Sequence, residues 1–165
     1  MSQPHSVLYR LSAACMLSLT AASVLAVDPV KLDNLNTTNT CKYCDLTDAA
    51  LAGRDLRGAD FQNANLAGAN MSKADLSQRP LEKRTLSTNF ESANLRKTNL
   101  SGANFSNAYL RETNLSDSNL TGAIFTTANL KGANLKGANV TGVKFDDAKL
   151  CNTTMPDGSV NDSGC

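Results

Sequence analysis

Large apolar residues recur every five positions along most of this chain, with small and polar residues between them. From residue 44 onward each block reads as a small residue, Asp or Asn, Leu or Phe, and two polar or small residues, as in Ala133-Asn134-Leu135-Lys136-Gly137. A helical period of 3.6 would spread the leucines around a cylinder, and a strand period of 2 would place them on both faces. The pattern therefore predicts another regular coil, in which every block turns one large side chain inward.

The block resembles the A(D/N)LXX motif of the pentapeptide-repeat family, which it matches in almost every copy from residue 44 to residue 152. The resemblance implies an all-β fold: a right-handed, four-sided parallel β-helix (a solenoid) in which four blocks make one coil. The central Leu or Phe and the small residue two positions earlier then point inward. Residues 44–152 hold about 22 blocks, so we expect about five to six coils.

Four blocks per coil also predict that residues 20 apart in the chain stack directly on one another. Phe105, Phe125 and Phe145 follow this spacing. We therefore expect an aromatic column along one inner side of the coil.

The five-residue register slips once, because Leu86 and Phe90 are only four residues apart. Residues 79–87 therefore contain either a surplus of four residues or a nine-residue loop, and a proline within them is typical of a break in a ladder. We favour the surplus of four, which places Phe61 and Leu81 in the column of the three later phenylalanines.

Residues 1–26 read as a secretory signal peptide, with an apolar stretch after Arg10 and small residues before a predicted cleavage after Ala26. A membrane anchor and a lipoprotein signal at Cys15 are the alternatives. The apolar stretch is shorter than the roughly 20 residues that a membrane span requires. We expect a periplasmic or secreted protein that has no stable membrane span after cleavage.

Both ends of the repeat are expected to be covered, because an open coil exposes unpaired strand edges. We assign residues 27–43 to an N-terminal cap, 44–152 to the β-helix and 153–165 to a C-terminal cap. Asp28-Pro29 predicts the start of a short helix in the first cap. A Pro-Asp-Gly turn at residue 156 predicts an irregular second cap.

Four cysteines follow the predicted cleavage site: Cys41, Cys44, Cys151 and Cys165. An even number in an exported chain indicates disulfides. In the implied fold, coils rise about 4.8 Å each and the two pairs lie roughly 25 Å apart, whereas bridged Cα atoms lie within about 7 Å. We predict that Cys41 pairs with Cys44 and Cys151 with Cys165. The other interpretation, a redox dithiol or half a zinc site, lacks the further ligands that zinc needs.

The balance of charge and the lack of histidine after the predicted cleavage site exclude several classes of function. The chain has 16 basic and 15 acidic residues, a net charge of +1, so it has no long-range field that attracts nucleic acid. Its single histidine, His5, lies in the predicted signal peptide, and imidazole is the commonest general base. We predict a protein without catalytic residues, cofactor or metal, and we expect no nucleic-acid partner.

Two surfaces are candidates for interaction. One is a regular outer row that includes Thr121 and Thr141; the other is the interruption, with Arg79, Lys83 and Arg84. Each surface is interpreted either as a solvated surface or as a binding site. For the interruption, the second interpretation rests on the fact that loops on a rigid scaffold often carry function.

The leading hypothesis is an exported interaction or structural scaffold whose partner is an unknown protein or cell-envelope component. The alternative is a pentapeptide protein that imitates DNA and binds gyrase. Proteins of that kind are cytoplasmic and strongly acidic, whereas this chain has a predicted signal peptide and balanced charge.

Overall fold

The structure, a computed structural model, describes Leu35, residues 37–82 and residues 84–165. The predicted signal peptide of residues 1–26, residues 27–34 and Asn36 of the predicted N-terminal cap, and Lys83 lie outside the described residues. The described residues consist almost entirely of repeats of the five-residue block.

Successive coils are joined by a parallel ladder of backbone hydrogen bonds. Asn99 pairs with Asn119, and Asn119 pairs with Asn139, so residues 20 apart lie one above the other. The N–H of Leu100 donates to the carbonyl of Asn119 at 2.8 Å. Each coil therefore uses four blocks, and every interior coil satisfies its backbone groups on its neighbours.

The four blocks of a coil define four sides, which we number in chain order. The central residues of side 1 are Cys41, Phe61, Phe90, Leu110, Leu130 and Leu150; those of side 2 are Leu46, Leu66, Leu95, Leu115, Leu135 and Met155. Those of side 3 are Leu51, Met71, Leu100, Leu120 and Val140, and those of side 4 are Leu56, Leu76, Phe105, Phe125 and Phe145. Nearly all of these side chains are buried, so the core is a narrow continuous stack.

The chain turns between sides because of two features of each block. At one corner the N–H of Ala49 donates to the carbonyl of Leu46 at 3.0 Å, and Asp48 between them has a φ of 56°, as a type II turn requires. The Asp or Asn before the centre folds back, as when the Asp45 Oδ1 accepts the N–H of Thr47 at 3.1 Å. The preference for Asp or Asn thus has a local hydrogen-bonding cause.

The few polar side chains inside the coil are all hydrogen-bonded. Thr98 donates its hydroxyl to the carbonyl of Leu66 at 2.9 Å, and Thr113 donates to the carbonyl of Phe90 at 2.7 Å. Among the described residues no buried side-chain nitrogen or oxygen lacks a partner. Threonine therefore replaces the usual alanine without the cost of an unsatisfied buried group.

The interruption is a β-hairpin, and the expected surplus of four residues is wrong. Strand β1 (Arg79–Leu81) pairs antiparallel with β2 (Arg84–Leu86). The ladder continues from Asp60 to Asn89, which are 29 rather than 20 residues apart, so nine residues leave the coil.

Leu81 accordingly does not join the core column: its side chain lies on the hairpin and is 43% exposed. Phe61 stacks on Phe90 of side 1, with ring centroids 4.9 Å apart, and Leu76 occupies the place below Phe105. The physical reason is steric. The inward position two residues before Leu81 is Arg79, which the narrow core cannot accommodate.

The later phenylalanines of side 4 form a stack. The ring centroids of Phe105 and Phe125 are 4.7 Å apart, and those of Phe125 and Phe145 are 5.5 Å apart. Stacked ring pairs of this kind add to the free energy gained by burial.

The C-terminal tail covers two sides of the last coil. Strand β3 (Thr153–Thr154) pairs antiparallel with β4 (Val160–Asn161), and the N–H of Leu150 donates to the carbonyl of Ser163 at 2.9 Å. At the other end Leu35, Thr37 and Thr38 are helical. Residues 27–34 and Asn36 of the predicted cap lie outside the described residues, so a longer helix stays a prediction. Residues 40–43, which were assigned to the cap, already belong to the first coil, because Thr40 pairs with Asp60 and Cys41 is buried in the core.

Both predicted disulfides are confirmed. Cys41 is bonded to Cys44, with Cα atoms 5.3 Å apart, and Cys151 is bonded to Cys165, with Cα atoms 4.7 Å apart. One bridge lies at each end of the coil.

Candidate interaction surfaces

The hairpin of residues 79–86 is held against the coil at its base. Thr88, which is fully buried, accepts the N–H of Gly58 at 2.8 Å and donates its hydroxyl to the carbonyl of Ser77 at 2.9 Å. A Cβ atom at Gly58 would lie 3.0 Å from the Cβ atoms of Arg79 and Leu86. The hairpin thus packs directly on a glycine corner of the coil below.

A charged cluster joins the hairpin to side 4. Arg57 donates two hydrogen bonds to the carboxylate of Asp55, at 2.9 and 2.8 Å. Its Nε lies 3.7 Å from Asp75, and Arg79 lies 3.9 Å from Asp55. The hydrogen bond from Arg57 is the largest cause that lowers the pKa of Asp55, to about 2. The Asp55 carboxyl therefore stays ionised over the whole physiological range.

A groove of about 380 Å³ separates the hairpin from the first coil. Its walls contain polar residues, two leucines, one acidic residue and one basic residue. The lining residues are Thr37, Thr38, Asn39, Thr40, Gly58, Asp60, Arg79, Leu81 and Leu86. A volume of this order is enough for a small ligand or a few side chains of a partner. Exposed apolar surface next to fixed charges is typical of an interaction site.

Side 3 presents a different surface, regular and uncharged over its last three coils. Thr121 donates its hydroxyl to Asn119 Oδ1 at 2.7 Å, and Thr141 donates to Asn139 Oδ1 at 2.8 Å. Because the same oxygens also accept the backbone N–H groups of the threonines, the polar atoms of this side are largely occupied by each other. The amide nitrogen of Asn119 also donates to Asn99 Oδ1 of the coil below, at 3.5 Å.

The structure places the predicted interaction residues on two separate surfaces. Arg79 and Arg84 lie on the hairpin, which leaves the coil at the corner between sides 4 and 1, and Lys83 lies outside the described residues. Thr121 and Thr141 lie on side 3. The two sets therefore do not form one site.

Sequence reasoning missed the charged cluster below the hairpin. Asp55 and Asp75 are 20 residues apart, so the coil period alone stacks them. Arg57 follows Asp55 by two positions, on the same outer side. The 20-residue spacing, applied to outward as well as inward positions, would have found the cluster.

Two further findings concern the described residues alone. Within them, no group of three or more His, Cys, Asp or Glu side chains is placed to hold a metal ion. No helix in residues 35 and 37–165, as far as they are described, has the length and apolar character needed to cross a bilayer.

The family model for pentapeptide repeats matches eight copies in this chain, at residues 44–78, 88–126 and 128–157. Together these segments make up more than half of the chain. The first gap between the matched segments, residues 79–87, is the segment that contains the hairpin. No protein with curated annotation matches the sequence.

Solved structures with a similar backbone include the pentapeptide repeat protein Rfr23 from the cyanobacterium Cyanothece 51142. It is 29% identical, with a TM-score of 0.71, over 80% of this chain and 97% of that chain. HetL from Nostoc sp. strain PCC 7120, described as involved in heterocyst differentiation regulation, is 31% identical over 74% of this chain and 66% of that chain, with a TM-score of 0.29. QnrB1, a plasmid-mediated fluoroquinolone resistance protein, is 24% identical over 76% and 60%, with a TM-score of 0.46. The likeness to Rfr23 supports a right-handed quadrilateral β-helix.

Proposed function

The chain belongs to the pentapeptide-repeat family, and from this premise we propose that it is a non-enzymatic, exported scaffold that binds a protein or another cell-envelope component through the hairpin of residues 79–86. The observation that carries the proposal is the hairpin itself. It interrupts an otherwise regular coil, is fixed at its base by Thr88 and Gly58, and borders the groove.

The disulfides support export. Both bridges lie at the ends of the coil, where each closes a short segment. Disulfides of this structural kind persist in oxidising compartments such as the periplasm or the extracellular space. The signal peptide predicted from residues 1–26 agrees with this location.

The chemistry of the hairpin favours an acidic partner segment with an apolar residue. Residues 79–86 contain Arg79, Lys83 and Arg84 against one acidic residue, Glu82. Leu81 is 43% exposed beside them. A charged surface of one sign steers association, and a partly buried apolar anchor lengthens the lifetime of the complex.

The described surface offers no observation in favour of DNA mimicry. Acidic side chains pair with basic ones across the coil, as Asp117 does with Arg96 at 3.1 Å and Glu91 with Arg111 at 3.7 Å. A duplex mimic needs a continuous acidic surface instead.

The test is affinity capture from cell-envelope extracts with the mature protein and with a variant that lacks residues 79–87. The deletion brings Leu76 and Phe90 to a spacing of five, so the regular coil closes without the hairpin. We expect the wild-type protein to retain a partner and the deletion variant to lose it.

The matched control is the variant Thr121→Lys/Thr141→Lys, which alters side 3 and leaves the hairpin intact. It is expected to retain the same partner. Equal capture by the wild-type protein and the deletion variant would overturn the proposal, and so would loss of the partner only in the side 3 variant.

A further inference from the structure

One aromatic side chain lies exposed on side 1, at a position where the coil normally uses Asp or Asn. In the coils below and above it, Asn89 Oδ1 accepts the N–H of Glu91 at 2.9 Å, and Asn129 Oδ1 accepts that of Lys131 at 3.2 Å. Tyr109 occupies the same column between them and is 51% exposed. Its ring cannot accept the corresponding N–H, so the coil gives up a stabilising hydrogen bond and exposes an aromatic surface instead.

A residue that departs from the pattern of its fold, with no compensating gain in packing, is expected at a functional site. Tyr109 projects from the outer surface and leaves 51% of its area in solvent, so burial of its ring does not account for its place here. Tyrosine is also enriched among the residues that contribute most to the free energy of binding at protein interfaces. Tyr109 is therefore a candidate contact residue for a partner.

Tyr109 lies on the same face of the coil as the groove beside the hairpin. Thr40 and Asp60, which line the groove, belong to the outer column of side 1. In that column Asp60 pairs with Asn89, and Asn89 pairs with Tyr109. Two coils at about 4.8 Å each place Tyr109 roughly 10 Å from the edge of the groove. The groove and the tyrosine are thus the two ends of one continuous surface.

The surface between these two ends has side-chain amides that can hydrogen-bond a peptide backbone. The amide nitrogens of Gln62 and Asn89 each donate one long bond to a neighbouring carboxylate, at 3.5 and 3.4 Å. An amide nitrogen carries two N–H groups. Each of these two side chains can therefore also donate to a backbone carbonyl of a partner.

The acidic groups along this stretch are paired with basic neighbours. The carboxylate of Asp60 lies 3.1 Å from Lys42, and that of Glu91 lies 3.7 Å from Arg111. Isolated carboxylates would repel the acidic partner segment that the basic hairpin favours. The pairing weakens that repulsion, so an acidic segment can continue from the hairpin along side 1.

We propose that side 1, from the groove to Tyr109, binds one extended segment of the partner protein in the polyproline II conformation. One apolar side chain of the segment enters the groove beside Leu81 and Leu86, and a second, three residues away, packs on the ring of Tyr109. Residues three apart in polyproline II lie on the same side and about 9 Å apart, whereas same-face residues of a β-strand are about 7 or 13 Å apart. Polyproline II has no internal hydrogen bonds, so its backbone carbonyls are available to Gln62 and Asn89. The site rests on the proposed function of the hairpin, which supplies the first of the two contacts.

The test uses peptides that the disulfide-bonded mature protein selects from a phage-displayed random library, with their binding measured by fluorescence anisotropy. The selected peptides are expected to contain two apolar residues three positions apart. Tyr109→Asn should weaken their binding by at least about tenfold, and Tyr109→Phe, which keeps the ring, should not. Because asparagine restores the turn hydrogen bond, Tyr109→Asn is expected to unfold at or above the wild-type temperature, so the loss of binding is not a loss of fold.

Ile124→Asn is the matched control for the change at Tyr109. Ile124 also replaces Asp or Asn at an outward position, but on side 4, where Asn104 Oδ1 in the coil below accepts the N–H of Ser106 at 3.1 Å. This variant should gain the same turn hydrogen bond and leave peptide binding unchanged.

The variant that lacks residues 79–87 separates this site from the proposed function of the hairpin. Loss of peptide binding in both that variant and Tyr109→Asn supports the site. Peptides that need the hairpin but bind Tyr109→Asn like the wild-type protein overturn the site and leave the proposed function intact. Peptides that bind the deletion variant like the wild-type protein also overturn the site, as does a selection that enriches no peptide, and the capture from envelope extracts then decides the proposed function separately.

Discussion

The corner residue that ends a block has a positive φ in nearly all blocks of the coil, and the chain fills this position unevenly. Glycine adopts the conformation without strain, and Asn and Asp tolerate it. Thr127 also occupies such a corner, with a φ of 58°. For a β-branched residue this conformation costs about 1 kcal/mol or more. The corner conformation could not be deduced from the five-residue pattern, because the pattern allows any polar or small residue there.

Thr127→Asn is expected to stabilise the protein by about 1 kcal/mol. Asparagine relieves the strain at the corner and keeps a polar group near Asn107, to which the Thr127 hydroxyl now donates at 2.7 Å. The free energy of unfolding in urea measures the effect. Thr126→Asn, one position earlier and without a positive φ, is the control and should not gain stability. A loss of stability in the Thr127 variant would show that its hydrogen bond outweighs the strain.

At the scale of elements, the hairpin shows where a periodic pattern misleads. Leu76, Leu81 and Leu86 keep a spacing of five through the interruption, so the large apolar positions alone suggest an unbroken coil. The inward positions that require a small residue show where the coil is interrupted. Arg79 and Arg84 precede the two later leucines by two residues, where the coil requires a small side chain. Both positions in a block must therefore be satisfied before it is assigned to the core.

Gly53→Ala and Gly58→Ala separate the backbone strain of a corner from the packing of the hairpin. Both glycines have a φ of 66°, but a Cβ at Gly53 meets nothing within 4 Å, whereas one at Gly58 lies 3.0 Å from Arg79 and Leu86. Gly53→Ala should cost roughly 1 to 2 kcal/mol of stability through strain alone. Gly58→Ala should cost more.

The displaced hairpin should also become more accessible to trypsin at Arg84 in the Gly58→Ala variant, while the Gly53→Ala variant is cut there at the wild-type rate. Limited proteolysis followed by mass spectrometry measures this difference. Equal cleavage of the two variants would mean that the hairpin does not depend on its contact with Gly58.

At the scale of the whole molecule, the two disulfides were predictable and the asymmetry of the C-terminal end was not. The pairing followed from the length of the implied coil, since only neighbouring cysteines lie within bonding distance. The path of the tail depends on long-range bonds such as that between Leu150 and Ser163. No periodic signal marks those bonds, so the sequence could not indicate which sides of the last coil stay open.

The Cys151–Cys165 bridge should therefore matter for the state of association as well as for stability. It links residues 14 apart, against 3 for Cys41–Cys44. Because a disulfide lowers the entropy of the unfolded chain more when it closes a longer loop, the longer bridge is expected to stabilise the fold by about 3 kcal/mol and the shorter one by about 2 kcal/mol. In Cys151→Ser/Cys165→Ser the tail should detach from Leu150 and Met155, and the open edge would then extend around all four sides of the last coil.

Light scattering should consequently detect larger species for Cys151→Ser/Cys165→Ser than for the wild-type protein. Cys41→Ser/Cys44→Ser, which leaves the tail in place, should keep the association state of the wild-type protein. Because both variants lose one bridge, a difference between them reports the exposed edge and not the loss of a disulfide as such. If both variants scatter like the wild-type protein, the bridge is not needed to hold the tail over sides 1 and 2, and the hydrogen bonds of the tail suffice.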